Sequence, residues 1–241
     1  MRLRGTPVLI YSTDRRLLGR LVDSAQVHSE LSPSWCDTIE EARLKLSLRP
    51  KALLIDLNDL EAWRLADRQL MQRRVVILCD DARCVARIAQ YLLKGVAGVF
   101  SRDDPPEVVT GALFTNPPCG IVGPSWQKWL SDFERLAMQN AGLWRFFATL
   151  RKAAFAGLCL ETAGVSARQA SDFGLTRDTY YYAKRALEDA FLSQPTLEPS
   201  HAVEIARRLG FLSLLTAAPN EQPDPDIDAL VRLWHLKRLG R

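Results

Sequence analysis

The sequence predicts a doubly wound α/β domain with a parallel sheet over residues 1–113, a linker over 114–125, and a mostly α-helical domain over 126–241. Three observations lead there. Short apolar, β-rich runs recur through the first half: Val8-Leu9-Ile10-Tyr11, Ala52-Leu53-Leu54-Ile55 and Val75-Val76-Ile77-Leu78. Between these runs apolar residues recur at helical spacing. Beyond Ser125 the β-rich runs stop and helical spacing continues alone.

Each run is almost uninterruptedly apolar, as a strand buried on both faces must be, so the sheet is expected to be parallel with helices on both sides. After the first run, Leu17, Leu18, Leu21 and Val22 share one helix face, and Ala42, Leu44, Leu46 and Leu48 follow the same spacing more loosely. Val85, Ile88, Ala89, Leu92 and Leu93 predict a helix, and Gly98-Val99-Phe100 a weaker strand. Pro105 and Pro106 open a helix through Leu113, at positions where a missing amide donor costs least. Phe114 to Pro124 breaks every period with Pro and Gly and reads as a connector.

In the second half, helices are expected from about Trp126 to Met138 and from about Leu143 to Leu160. Trp126, Trp129, Leu130, Phe133 and Leu136 mark one apolar face, and Phe146, Phe147, Leu150, Ala154 and Leu158 another, so these aromatics read as core. Ala202 to Phe211 reads as a structural helix pair, cut short by Pro219 and Asn220 to Pro225, with Arg207 and Arg208 as candidate backbone contacts. The pattern Ile227 to Leu239, with Leu230, Val231, Trp234 and Leu236, suggests an amphipathic helix for packing or dimerisation.

Composition narrows the function classes. At 47% hydrophobic and 25% charged residues the chain is expected to be soluble and cored. Its net charge of +4, split evenly at Ser125, permits nucleic-acid binding without demanding it. No segment reaches the roughly 18 apolar residues of a membrane span. Met1-Arg2-Leu3-Arg4-Gly5 enters a strand-like run with no signal-peptide core, so a cytoplasmic location is expected. The five cysteines, Cys36, Cys79, Cys84, Cys119 and Cys159, form no CxxC pair, and His28, His201 and His235 are scattered. Unreactive thiols, no metal site and no cofactor are the expectation. No P-loop, zinc-ligand spacing or nucleophile elbow points to an enzyme.

Two stretches carry function. Asp56 ends the second β-rich run, at the sheet edge where open α/β folds bind ligands. The stretch Arg49-Pro50-Lys51-Ala52-Leu53-Leu54-Ile55-Asp56-Leu57-Asn58 resembles the third strand of bacterial response-regulator receiver domains, whose fold is flavodoxin-like, and sets Asp56 at their phosphate-accepting aspartate. Thr38-Ile39-Glu40-Glu41-Ala42 is similar to the start of a receiver's second helix, and Lys94 to Glu107 to the stretch around its fifth strand, so the resemblance covers Pro7 to Leu113.

Receivers hold Mg²⁺ with an acidic pair after the first strand, because the ion offsets charge building on the phosphoryl oxygens. The matching positions here are Ser12 and Thr13, both neutral, and Asp14 would have to supply the metal alone, which makes Mg²⁺ doubtful. The hydroxyl after strand four becomes Cys79, and the lysine after strand five becomes Arg102. The resemblance therefore implies a pseudo-receiver, controlled through its shape, a dimer surface or another ligand rather than by standard aspartyl phosphorylation. Asp56 is then either a solvated strand-end carboxylate or the partner of Arg102, which would lock one state.

The second stretch runs from Val165 to Leu187. Ser166 and Gln169 have capping-box spacing, Gly174 supplies a sharp turn, and Thr176 caps the next helix. This resembles a bacterial helix-turn-helix, at about 166–187. The resemblance places small Ala170 where the helices approach, Phe173, Leu175, Tyr180 and Ala183 inside, and Thr176, Arg177, Asp178, Tyr181, Tyr182 and Arg185 outside. Arg177 would read guanine by a forked contact, Thr176 would meet phosphate or base, and Lys184 and Arg185 would anchor phosphates. Gln169 stands where the motif usually has an apolar residue, and Asp172 and Asp178 would repel a badly placed phosphate, so a plain capped hairpin is the competing reading.

Together these imply a DNA-binding transcriptional regulator of response-regulator type. Its expected partners are double-stranded DNA, a second copy of itself, and a regulatory protein or small ligand at the receiver-like domain. The alternative is a pseudo-receiver protein-interaction adaptor that does not bind DNA.

Overall fold

The computed structural model describes residues 5–70, 72–114 and 120–217. Cys119, the Pro219 to Pro225 stretch and the expected helix from Ile227 to Leu239 lie outside them. Contacts divide the described residues into two units, one built on residues 5–80 and 91–128, the other on 81–90 and 129–217.

In the first unit six strands form one parallel sheet in the order β2-β1-β3-β4-β5-β6. They are β1 (Thr6–Tyr11), β2 (Leu31–Cys36), β3 (Ala52–Asp56), β4 (Arg74–Leu78), β5 (Gly98–Phe100) and β6 (Ile121–Val122). All five β3 residues are buried, which is why that run carries no polar residue before its last position. Ile10 pairs with Leu54 and Leu54 with Val76, so their side chains share a face. They form one core with Leu17 and Leu21 of α1 (Arg15–Val27) and with Val109 of α5 (Pro106–Gly111). The other helices are α2 (Ile39–Leu46), α3 (Leu60–Gln69) and α4 (Val85–Leu93), the last crossing the division between units.

Two strands escape the sequence reading. β2 has the sequence Leu-Ser-Pro-Ser-Trp-Cys and is an edge strand, so it needs no apolar run. The amide of Thr6 donates to the Glu30 carbonyl and that of Ser12 to the Cys36 carbonyl, so even-numbered backbone groups face β1. Odd-numbered groups face outward, including Pro33, which has no amide to offer a foreign strand. The Trp35 carbonyl on the same edge is taken by Lys45 Nζ. β6 lies inside the expected connector and is only two residues long, extending the sheet beyond β5.

α6 (Pro124–Gln139) begins at a proline and crosses the division between units. Trp126, fully buried, donates its Nε1 hydrogen to the Cys79 carbonyl at 2.7 Å. The single helix expected from Leu143 to Leu160 is two, α7 (Ala141–Thr149) and α8 (Lys152–Ala163). Buried Leu150 takes an extended ψ of 139° between them, with no Gly or Pro to announce the break. α9 (Arg177–Leu192), α10 (Pro199–Arg208) and α11 (Leu212–Ala217) complete the second unit. Its core is aromatic: Trp144 meets Phe133 at 5.7 Å, and Phe211 receives Trp144, Phe147 and Phe155.

Candidate functional site

Asp56 closes β3 and is fully buried. Ser12 Oγ, at the end of β1, donates to Asp56 Oδ2 at 2.7 Å. Arg102, just after β5, sets both Nε and Nη2 at 2.9 Å from Asp56 Oδ1. The same guanidinium lies 3.5 Å from Asp80 Oδ2, while Asp80 Oδ1 accepts from the Arg102 amide and from Ser101 Oγ. One continuous network thus joins the ends of β1, β3, β4 and β5.

The reading of Asp56 as a solvated carboxylate is corrected by its burial. The segments leaving β1 and β5 fold over the end of β3 and exchange water for a hydroxyl and a guanidinium. Burial raises the Asp56 pKa above the ordinary carboxylate value, against the opposing pull of Ser12 and Arg102.

The remaining receiver-like positions serve other ends. Asp14 is the N-cap of α1, accepting from the Arg16 and Leu17 amides at 2.9 and 3.1 Å, and these bonds hold its pKa below the usual value. Thr13 Oγ1 accepts from Asn58. Cys79 is buried, and its side chain is a thiol, a weaker hydrogen-bonding group than a hydroxyl. Neutral Ser12 and Thr13, a capping Asp14 and an Asp56 already holding a cation do not fit a Mg²⁺ site. Among the described residues no three His, Cys, Asp or Glu side chains converge to hold a metal ion.

In the second unit Gly164 and Gly174 both take left-handed φ, 61° and 73°, which glycine adopts at no steric cost. Between them Gln169–Phe173 forms a 3₁₀ turn, shorter than the α-helix that a full helix-turn-helix would place there. The Ser166 amide and Oγ both donate to Gln169 Oε1, so exposed Gln169 serves the cap. Ala170 is fully buried, whereas Phe173 and Leu175 are half-buried rather than interior. Thr176 caps α9 by accepting the Thr179 amide, and its hydroxyl lies 2.8 Å from that of Thr179.

Arg177, Asp178, Tyr181, Tyr182 and Arg185 are exposed on α9 as expected. Lys184 differs: its Nζ is paired with Glu161 on α8, it lies 5.8 Å from the Tyr180 ring, and burial lowers its pKa. Thr176 and Lys184 are therefore committed within the protein, leaving Arg177 and Arg185 as the outward cations. Asp80 and Glu161 were missed by the sequence reading. An acid beside Cys79 at the end of a strand was a readable signal for Asp80; nothing local marks Glu161.

No protein-family profile matches the chain, and no curated protein does. Among solved structures it is similar to RcsB in a complex of two dimers bound to two parallel DNAs, at 13% identity over 89% of this chain and 99% of that one, with a TM-score of 0.49. It is also similar to ChrA of a heme-sensing two-component system, at 15% identity over 87% and 100%, TM-score 0.41. The receiver domain of NarL from Mycobacterium tuberculosis matches 46% of this chain and 94% of its own length, at 15% identity and a TM-score of 0.37. These neighbours are response regulators.

Proposed function

We propose that this chain is a DNA-binding transcriptional regulator of response-regulator type, acting as a cytoplasmic homodimer, whose receiver-like unit works without aspartyl phosphorylation. The observation that carries the DNA reading is the outer face of α9. A sixteen-residue helix, entered through a capped turn, presents Arg177, Tyr181, Tyr182 and Arg185 to solvent while Tyr180, Ala183 and Leu187 pack inward. Such a helix fits the major groove, where a guanidinium fork matches guanine O6 and N7. Arg185, two turns further along, anchors phosphate. A dimer would set two such helices on half-sites about one DNA turn apart.

Phosphorylation-independence rests on the Asp56 network. A carboxylate attacks phosphorus through an oxygen aligned with the leaving group, and transfer needs a divalent cation on the phosphoryl oxygens. Here Oδ2 is bound to Ser12, Oδ1 to Arg102, and the metal-holding acids are lacking. Arg102 instead supplies the positive charge permanently, and regulation falls to a protein or small ligand acting on the receiver-like unit.

The test is enrichment of fragments from a genomic DNA library by the purified full chain at two salt concentrations, beside an Arg177→Ala, Arg185→Ala double variant. Selective enrichment lost in the variant supports the reading, with binding that weakens as salt rises. A folded wild-type protein that enriches nothing would instead favour an adaptor that contacts proteins.

A further inference from the structure

We infer that Tyr181 is a positioning residue for base reading: its ring holds the Arg177 guanidinium so that the fork meets one guanine in the major groove of duplex DNA. This deepens, and rests on, the reading of α9 as the DNA-binding helix. Residues 177 and 181 are one turn apart and share a helix face. The Arg177 guanidinium carbon lies 5.8 Å from the Tyr181 ring centroid, within cation–π range.

The ring is itself held. Tyr181 meets Tyr180 edge-on, with centroids 5.3 Å apart at 83°. Tyr180 is buried, and its hydroxyl donates to the Val165 carbonyl at 3.0 Å. A chain of fixed groups therefore runs from the turn after α8 through two rings to an exposed cation. Tyr181 keeps 52% of its surface exposed, so the chain ends on the face offered to DNA.

The neighbours show why this arrangement is suited to reading rather than to stability. Lys184 is spent on Glu161, and the Thr176 and Thr179 hydroxyls on each other. Arg177 leans on a ring face, which takes none of its N–H donors, so the edge of the guanidinium stays available for a forked contact. Fixing a rotamer-rich side chain before binding removes part of the ordering cost that binding would otherwise incur. At an exposed site this amounts to about three- to tenfold in affinity.

The experiment selects a preferred duplex from a random pool with the full wild-type chain. Dissociation constants are then measured by fluorescence anisotropy on that duplex and on one whose guanine pair is changed to A·T, at two salt concentrations. Tyr181→Phe keeps the ring and should stay within about twofold of wild type on both duplexes. Tyr181→Leu should lose about three- to tenfold on the selected duplex and little on the altered one, with its salt dependence unchanged because no phosphate contact is removed. Arg177→Lys keeps the charge, loses the fork, and should lose the guanine preference by about tenfold or more. Equal affinities for Tyr181→Leu and wild type, or an equal loss on both duplexes, would overturn the positioning role while leaving DNA binding intact. A folded wild type that selects no duplex would overturn the DNA reading and this inference with it.

Discussion

Arg102→Ala strips Asp56 of the cation that meets one of its oxygens and leaves Ser12 on the other. Removing one partner of a buried ion pair costs about 3–5 kcal/mol, because the remaining charge is left uncompensated. The Arg102 side chain is 33% exposed, so the space it vacates opens to water, and resolvation of Oδ1 cuts the loss to about 2 kcal/mol. The pH dependence follows from the raised Asp56 pKa. An acid whose folded pKa lies above its unfolded value destabilises the fold when ionised, and that penalty disappears as pH falls through the folded pKa toward the unfolded one, about 3.9. Losing Arg102 raises the folded pKa further, so the variant's deficit should be larger near pH 7.5 than near pH 5. Urea denaturation of the full chain at both pH values measures it. Asp56→Asn in the same chain removes the buried charge and should recover most of the loss, giving a coupling of about 2 kcal/mol in the double-mutant cycle. A deficit independent of pH, or a double variant no better than Arg102→Ala, would refute the argument.

Three further outcomes are expected. Acetyl phosphate with Mg²⁺ should leave the intact mass of the wild-type chain unchanged, since Arg102 and Ser12 already engage both Asp56 oxygens and neutral Ser12 and Thr13 offer no carboxylate to a metal ion; an aspartyl-phosphate adduct at Asp56 in the mass spectrum would contradict this. Gly157→Ala should destabilise the second unit by about 1–3 kcal/mol, because a Cβ there would lie 2.3 Å from the Ala183 carbonyl oxygen where α8 meets α9; thermal melting measures the change. Lys184→Ala should weaken DNA binding less than Arg185→Ala, because Lys184 is already paired with Glu161, and anisotropy titrations on one duplex rank the two.

Much of the architecture was readable because its signals are local. β1, β3 and β4 are each built on an uninterrupted apolar run, and burial on both faces demands that composition. The cap of α9 was legible for the same reason: Thr176 reaches the amide of Thr179, and Gly174 supplies a turn that few other residues tolerate. β2, at one edge of the sheet, was not legible, since Pro33 and two serines suit an edge that must repel pairing, and they look like a loop in isolation. The break at buried Leu150 carries no local mark either.

The candidate sites divide along the same line. The sequence alone determined that Asp56 ends a buried strand, that the residues following the first strand are the neutral Ser12 and Thr13, and that Arg177 and Tyr181 share one face of a helix. Those are statements about spacing and chemistry within a few residues. Tertiary structure decided that Asp56 is sealed rather than solvated, that Arg102 bridges it to Asp80, and that Lys184 turns inward to Glu161. These contacts join side chains far apart in the chain. Which of two charged groups keeps its water and which finds a partner depends on where the chain returns, and no local pattern encodes that return.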